Sequence, residues 1–181
     1  MKKLAVFFSV LLLLGTTFAV SQPVQGKKFE LGTAFSFSSF KFSDSLESDT
    51  ILTLPLRFGF FIWKGLEIEP EVMLQKWEGS DAAFLLSGNL AYNFKLQGNL
   101  VPFLLAGAGL GNGLAVGPFM EGGSGINAFL LNFGGGLKYV LGNSGAIRLE
   151  YRFSRNRLTQ EGFEAEIFNS HQIFLGVSVF F

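Results

Sequence analysis

The sequence has no cysteine and a single histidine, His171. That excludes disulfides, thiol chemistry and a lipid-modified N-terminal cysteine, and it leaves too few ligands for a zinc or similar metal cluster. Charge is also scarce. Acidic and basic residues together make up 15% of the chain, balanced at 14 of each sign. No basic patch suits nucleic acid. Beyond the N-terminus, no apolar run is long enough to cross a membrane as a helix.

What is plentiful is apolar residues in short pieces. Hydrophobic residues form 49% of the 181-residue chain, with 23 Phe and 23 Gly. The length allows one domain with a sizeable core. This composition suits a membrane β-barrel, whose strands are apolar on one face only. The N-terminus reads as an export signal: Met1-Lys2-Lys3 is a basic head, Leu4 to Leu14 an apolar centre, and Thr17-Phe18-Ala19 a small-x-small cleavage site. Residues 1–19 are therefore expected to be a signal peptide and 20–181 the exported domain. Cleavage is expected near Val20, with Ser21 as a second position.

The last stretch sets the pattern for the rest. Counting back in twos from Phe181 gives Val179, Val177, Leu175 and Ile173, interleaved with Ser178, Gly176 and Gln172. Such alternation is a strand with one apolar and one polar face. Seven further stretches alternate in the same way: Phe29–Phe40, Ile51–Ile62, Leu66–Trp77, Ala83–Lys95, Leu100–Gly111, Asn127–Leu141 and Ala146–Arg157, with Ile167–Phe181 as the eighth. In the fifth, glycine and alanine blur the phase, and Val101, Phe103 and Leu105 are assigned to the apolar face. The connections alternate between tight turns, such as Trp63-Lys64-Gly65, and mostly longer polar loops, such as Asn112 to Gly125. A strand that ends the chain leaves an unpaired edge unless it pairs with the first strand and closes a barrel. The expected fold is all-β, an eight-stranded antiparallel up-and-down transmembrane β-barrel.

The apolar faces must then point outward. An eight-stranded lumen is just wide enough for ordinary side-chain packing. It cannot hold the leucines and phenylalanines of eight strands, but it can hold the smaller, polar set. That set carries Arg57, Glu67, Glu69, Glu71, Lys138, Arg148, Glu150 and Arg152. A turn centred on Lys64 places Arg57 opposite Glu71, and one centred on Ser144 places Lys138 opposite Glu150. The third and seventh strands face each other across the lumen, so their glutamates and arginines can form a network there. This network reads as a plug that fills the lumen and fixes register, or as a gate or polar relay.

Four stretches resemble the small OmpA/OmpX-type outer-membrane barrels. They are Val101-Pro102-Phe103-Leu104-Leu105-Ala106-Gly107-Ala108-Gly109, Asn132-Phe133-Gly134-Gly135-Gly136-Leu137-Lys138-Tyr139, Ile147-Arg148-Leu149-Glu150-Tyr151-Arg152-Phe153, and the C-terminal strand. The resemblance implies residence in the cell outer membrane with both termini in the periplasm, and long loops outside the cell. It also implies that Ile173, Leu175, Val177, Val179 and Phe181 form the signal read by the barrel-assembly machinery. It does not specify an activity, since many functions share this barrel.

Catalysis finds little support. Ser170 is adjacent to His171 and so points to the opposite face of the strand. Parity with Phe181 puts His171 on the lipid or headgroup side. Outer-membrane lipid-A deacylases are barrels of similar size, but their His-x-Ser arrangement is absent here. Arg155 and Arg157 continue the apolar face of strand seven beyond Phe153. They read equally as lipopolysaccharide contacts, for which arginine suits the phosphates, or as a solvated strand extension. The expectation is a monomeric, non-enzymatic barrel with a plugged polar lumen and a structural or surface-interaction role through its loops. It needs no metal or other cofactor, and its partners are outer-membrane lipid, lipopolysaccharide and the assembly machinery. The alternatives are a narrow, porin-like solute channel or a lipid-A-modifying enzyme.

Overall fold

A computed structural model describes residues 26–41, 48–77, 82–94, 98–112, 127–159 and 165–181. The proposed signal segment and most of the longer loop stretches lie outside these. Period-two alternation produces eight strands: β1 (Phe29–Lys41), β2 (Ser48–Trp63), β3 (Leu66–Trp77), β4 (Ala82–Asn93), β5 (Leu100–Asn112), β6 (Asn127–Leu141), β7 (Gly145–Thr159) and β8 (Glu166–Phe180). Each pairs antiparallel with its sequence neighbours, and β8 returns to β1, so the sheet closes. Closure pairs the two edge strands along Glu30–Phe35 and Leu175–Phe180, and a lipid environment requires such internal pairing of backbone groups.

The seam between β1 and β8 runs in register from Glu30–Phe180 to Phe35–Leu175. Below that, Phe29 and Phe181 exchange backbone hydrogen bonds of 3.0 Å in both directions. Both ends of the barrel wall therefore meet at one rim, together with the short turns Lys64–Gly65 and Gly142–Ser144. We call this the terminal rim. The other ends of the strands, which the longer connections join in sequence, form the opposite, loop rim.

The outer surface is apolar. Leu31, Phe35, Leu54, Leu56, Leu86, Leu90, Phe133, Leu149, Leu175 and Val177 all point outward. At the terminal rim Phe29, Phe58, Phe60 and Phe181 form an aromatic group, with Phe58 and Phe60 edge-on at 4.6 Å. Such a girdle marks a membrane interface.

The interior is layered. At the terminal rim Val101, Val140, Ala146 and Phe180 make an apolar floor, with Phe61 packed against it. A charged layer follows. Above it Ala34, Met73, Leu85, Leu130 and Phe174 pack together. Neutral polar groups lie nearest the loop rim, where Gln172 donates to Thr53 at 3.1 Å.

Two expectations fail. Strand β5 has the opposite phase: Val101, Phe103 and Leu105 are buried inside, while Leu100, Leu104 and Leu110 face outward. Leucines on both faces leave the phase to packing, and the ring of Phe103 is claimed by the charged layer (below). The β6–β7 register is also one pair off. Lys138 lies opposite Arg148, and Glu150 lies opposite Gly136. The turn is centred on Asn143 rather than Ser144, because Gly142 takes the left-handed φ of 58° that starts it.

Candidate functional site

The charged layer is built by three strands of one wall and two of the other. β3 sends Glu67, Glu69 and Glu71 inward from alternate positions, and β7 sends Arg148, Glu150 and Arg152. These are the positions at which the two strands, four apart in the ring, face each other. β2 adds Arg57, β6 adds Lys138, and β1 adds Glu30. All nine side chains are buried. Charged groups taken out of water persist only if paired and hydrogen-bonded, and the pairing here is dense.

At the top of the layer, Glu71 receives Arg57 Nε at 2.6 Å and both terminal nitrogens of Arg152, at 2.6 and 3.1 Å. Ser87 Oγ donates to the same carboxylate at 3.0 Å. Arg152 also bonds Glu150, at 2.6 Å through Nη2 and 2.8 Å through Nε. Glu150 is further paired with Arg57 at 3.3 Å and Arg148 at 2.9 Å. Arg148 then crosses the lumen to Glu69 in a two-pronged contact, its Nη2 lying 3.0 Å from Oε2. Arginine suits this position because its planar fork matches a carboxylate and still has donors to spare.

Nearer the floor, Lys138 Nζ lies 2.6 Å from Glu30 and 3.0 Å from Glu67. Asn93 donates to Glu67 at 2.9 Å. The carboxylates of Glu30, Glu67 and Glu69 come within 4.8 Å of one another, drawn together by Lys138 and Arg148. Gly59 makes room for this: a Cβ there would strike the Glu67 carboxylate.

Two rings sandwich the cations. Phe103 lies 4.3 Å below the Arg148 guanidinium and 5.4 Å from Lys138 Nζ. Phe174 lies 5.1 Å from Arg152 and 5.5 Å from Arg57. An aromatic face attracts a desolvated cation, which accounts for large apolar rings on the inner side of β5 and β8.

The structure thus brings Arg57, Glu67, Glu69, Glu71, Lys138, Arg148, Glu150 and Arg152 into one connected cluster. Arg57 lies opposite Glu71 in the ladder, as the turn geometry requires. Lys138 does not bond Glu150; with the register shifted, it turns to Glu30 and Glu67. Sequence reasoning missed Glu30, although its inward phase on β1 was legible. It also missed the two rings, because a phenylalanine inside a greasy strand carries no signal of which face it takes.

Apart from Ser170 and the inward residues of β5, the remaining residues singled out by sequence lie on the outer surface. His171 is exposed, and its Nδ1 lies 2.6 Å from Tyr151 Oη. Ser170 lies on the other face of the strand, where Asn156 Nδ2 donates to it at 3.4 Å. The two do not form a pair. Ile173, Leu175, Val177, Val179 and Phe181 all point outward along β8. Arg155 and Arg157 also point outward, on β7 near the loop rim. They stand just above a row formed by Phe133, Phe153 and His171 across three strands.

Comparison with known proteins turns on this closed, outwardly apolar barrel. A family model described as the outer membrane protein beta-barrel domain matches residues 9–181. The chain belongs to this family. It is an outer-membrane β-barrel, embedded in membrane lipid by its apolar wall. Among solved structures it is similar to Neisserial surface protein A, at 19% identity and a TM-score of 0.60, covering 87% of this chain and 98% of that one. It is also similar to the N-terminal β-barrel domain of Pseudomonas aeruginosa OprF, at 18% identity and a TM-score of 0.54, covering 87% and 100%. A third is the outer membrane enzyme PagL, at 18% identity and a TM-score of 0.55, covering 83% and 98%. These likenesses speak to the fold. No curated protein sequence matches this outer-membrane barrel.

Proposed function

We propose that this outer-membrane barrel is a structural and surface-interaction protein whose lumen is closed by its charged layer. It carries no catalysis and presents its loops outside the cell. In this reading residues 1–19 are removed on export, both termini and the terminal rim face the periplasm, and the protein is monomeric. One observation carries it: Glu69 and Glu71 of β3 reach Arg148 and Arg152 of β7 across the full width of the lumen. Eight strands enclose little more than packed side chains, and here the packing is ionic, with an apolar floor beneath. The separation of His171 from Ser170 supports the non-enzymatic reading.

In planar bilayers the protein is expected to show little or no steady conductance. Large, stable channels in the wild type would overturn the plug in favour of a solute channel.

The outward row Ile173, Leu175, Val177, Val179 and Phe181 is the proposed signal for the barrel-assembly machinery. Removal of Phe181 is expected to leave export intact but lower the amount of inserted barrel. Normal outer-membrane levels of the truncated protein would contradict that assignment.

A further inference from the structure

Where side-chain surroundings are defined, the outer wall carries its side-chain charge in one sign. Among the described residues whose surroundings are defined, every carboxylate turns inward: Glu30, Glu67, Glu69, Glu71 and Glu150. The outward charges are all cations. Lys28 and Lys64 lie at the terminal rim; Lys76, Arg155 and Arg157 lie toward the loop rim. Arg155 and Arg157 occupy alternate positions of β7, so both side chains leave the same face about 7 Å apart. No carboxylate whose side-chain surroundings are defined forms an ion pair with either.

Their neighbours are those of a membrane boundary. Arg155 lies between Leu131 of β6 and Asn169 of β8, and Arg157 between Phe129 and Ile167. Ile167 and Phe129 are exposed. Directly below sits the row of Phe133, Phe153 and His171, with Tyr151 bonded to the histidine. Height agrees. Arg155 is ten residues along β7 from Gly145 at the terminal rim. At about 3.3 Å per residue and a tilt near 40°, that is roughly 25 Å, the height of the apolar band of such barrels. The arginines therefore emerge where hydrocarbon ends and headgroups begin.

We propose that Arg155 and Arg157, with the Asn169 side chain beside Arg155, bind the phosphate of a lipid headgroup in the membrane leaflet at the loop rim. The two guanidinium groups supply forked donors that match phosphate oxygens. The flanking Leu131, Phe129 and Ile167 lie against the acyl chains of the same molecule. A free phosphate would find the cations but not this apolar surround. A soluble polyanion would need cations that face water rather than lipid.

The test uses the full mature chain folded into dodecyl maltoside micelles, which carry no phosphate. Bis-phosphorylated lipid A is titrated in, and lipid retained per barrel is measured by native mass spectrometry. Chemically dephosphorylated lipid A and inorganic phosphate are run in parallel. The wild type is expected to retain the phosphorylated lipid at least tenfold better than the dephosphorylated one. Millimolar inorganic phosphate is expected not to displace it. The double substitution Arg155→Gln with Arg157→Gln is expected to lose at least tenfold in retention, and the corresponding lysine pair to recover part of that loss. Equal retention by wild type and the glutamine pair would overturn the proposal, as would equal retention of the two lipids. Displacement by inorganic phosphate would make the site one for a free anion and would likewise overturn it. The comparison of the two lipids on wild-type protein stands even if the double variant fails to fold, and the single variants then report each arginine.

Discussion

The lower and upper halves of the lumen solve the same packing problem by different means. Below, toward the terminal rim, nine charged side chains are tied by directed bonds, so each group's position is set by its partners. Above, Ala34, Met73, Leu85 and Leu130 fill space by shape, and the buried polar groups described beyond them, Ser36, Thr53, Ser154 and Asn156, are neutral. The difference teaches how each half should fail. Loss of one group below leaves a buried charge without its counterpart, whereas loss above leaves a void. Replacing a whole ion pair with apolar groups is often tolerated, but removing one member is not.

The strongest way to break the comparison is at Arg148. Glu69 has Arg148 as its one ion-pair partner among the described residues, whereas Glu71 has both Arg152 and Arg57. Arg148→Ala should therefore cost about 4 kcal/mol and Arg152→Ala somewhat less, about 3 kcal/mol. Urea unfolding of the barrel in detergent micelles, followed by tryptophan fluorescence, measures both. Equal losses would mean that Glu69 finds another cation. No loss in either would remove the ionic layer from the account of stability.

The smaller effect lies above. Leu85→Ala removes a buried side chain that packs with Met73, Leu130 and Phe174. A cavity of this kind costs about 2–3 kcal/mol. It is expected to leave the bilayer silent, because the charged layer beneath is untouched. Conductance from Leu85→Ala but not from Arg148→Ala would place the seal in the upper half instead.

How much of this was legible beforehand depends on contrast between neighbouring residues. In β3, glutamates alternate with Leu66, Ile68 and Val72, and the facing is unambiguous. β7 is equally plain. In β5, Leu104-Leu105-Ala106-Gly107-Ala108-Gly109 offers no such contrast, and its phase was decided by Phe103 finding cations to cover. Register was read correctly between β2 and β3 but missed by one pair between β6 and β7. Parity allows either solution there, and only the backbone of Gly142 chooses. Glu30 escaped notice for a different reason. Its partners, Lys138 and Arg148, lie on β6 and β7, and they come near β1 only when the ring is closed.

That ring closure has a consequence for how the molecule forms. Seven of the eight strand pairings join sequence neighbours. The eighth joins Leu31 to Val179 and Phe29 to Phe181, the two ends of the wall. Its closure entropy is the largest of the eight, and its contacts are the most non-local, the kind that slow folding. Its register is also shorter than that of its neighbour: the described β1–β8 pairs stop at Phe35–Leu175, whereas β7–β8 continues to Leu158–Glu166. The seam is thus both the most non-local joint in the wall and a shorter one than its neighbour. Glu30 stands beside it on β1, and its carboxylate is held by Lys138 from across the ring. The ionic layer therefore ties the closing strand to the far side of the wall, through a bond that exists only in the closed ring.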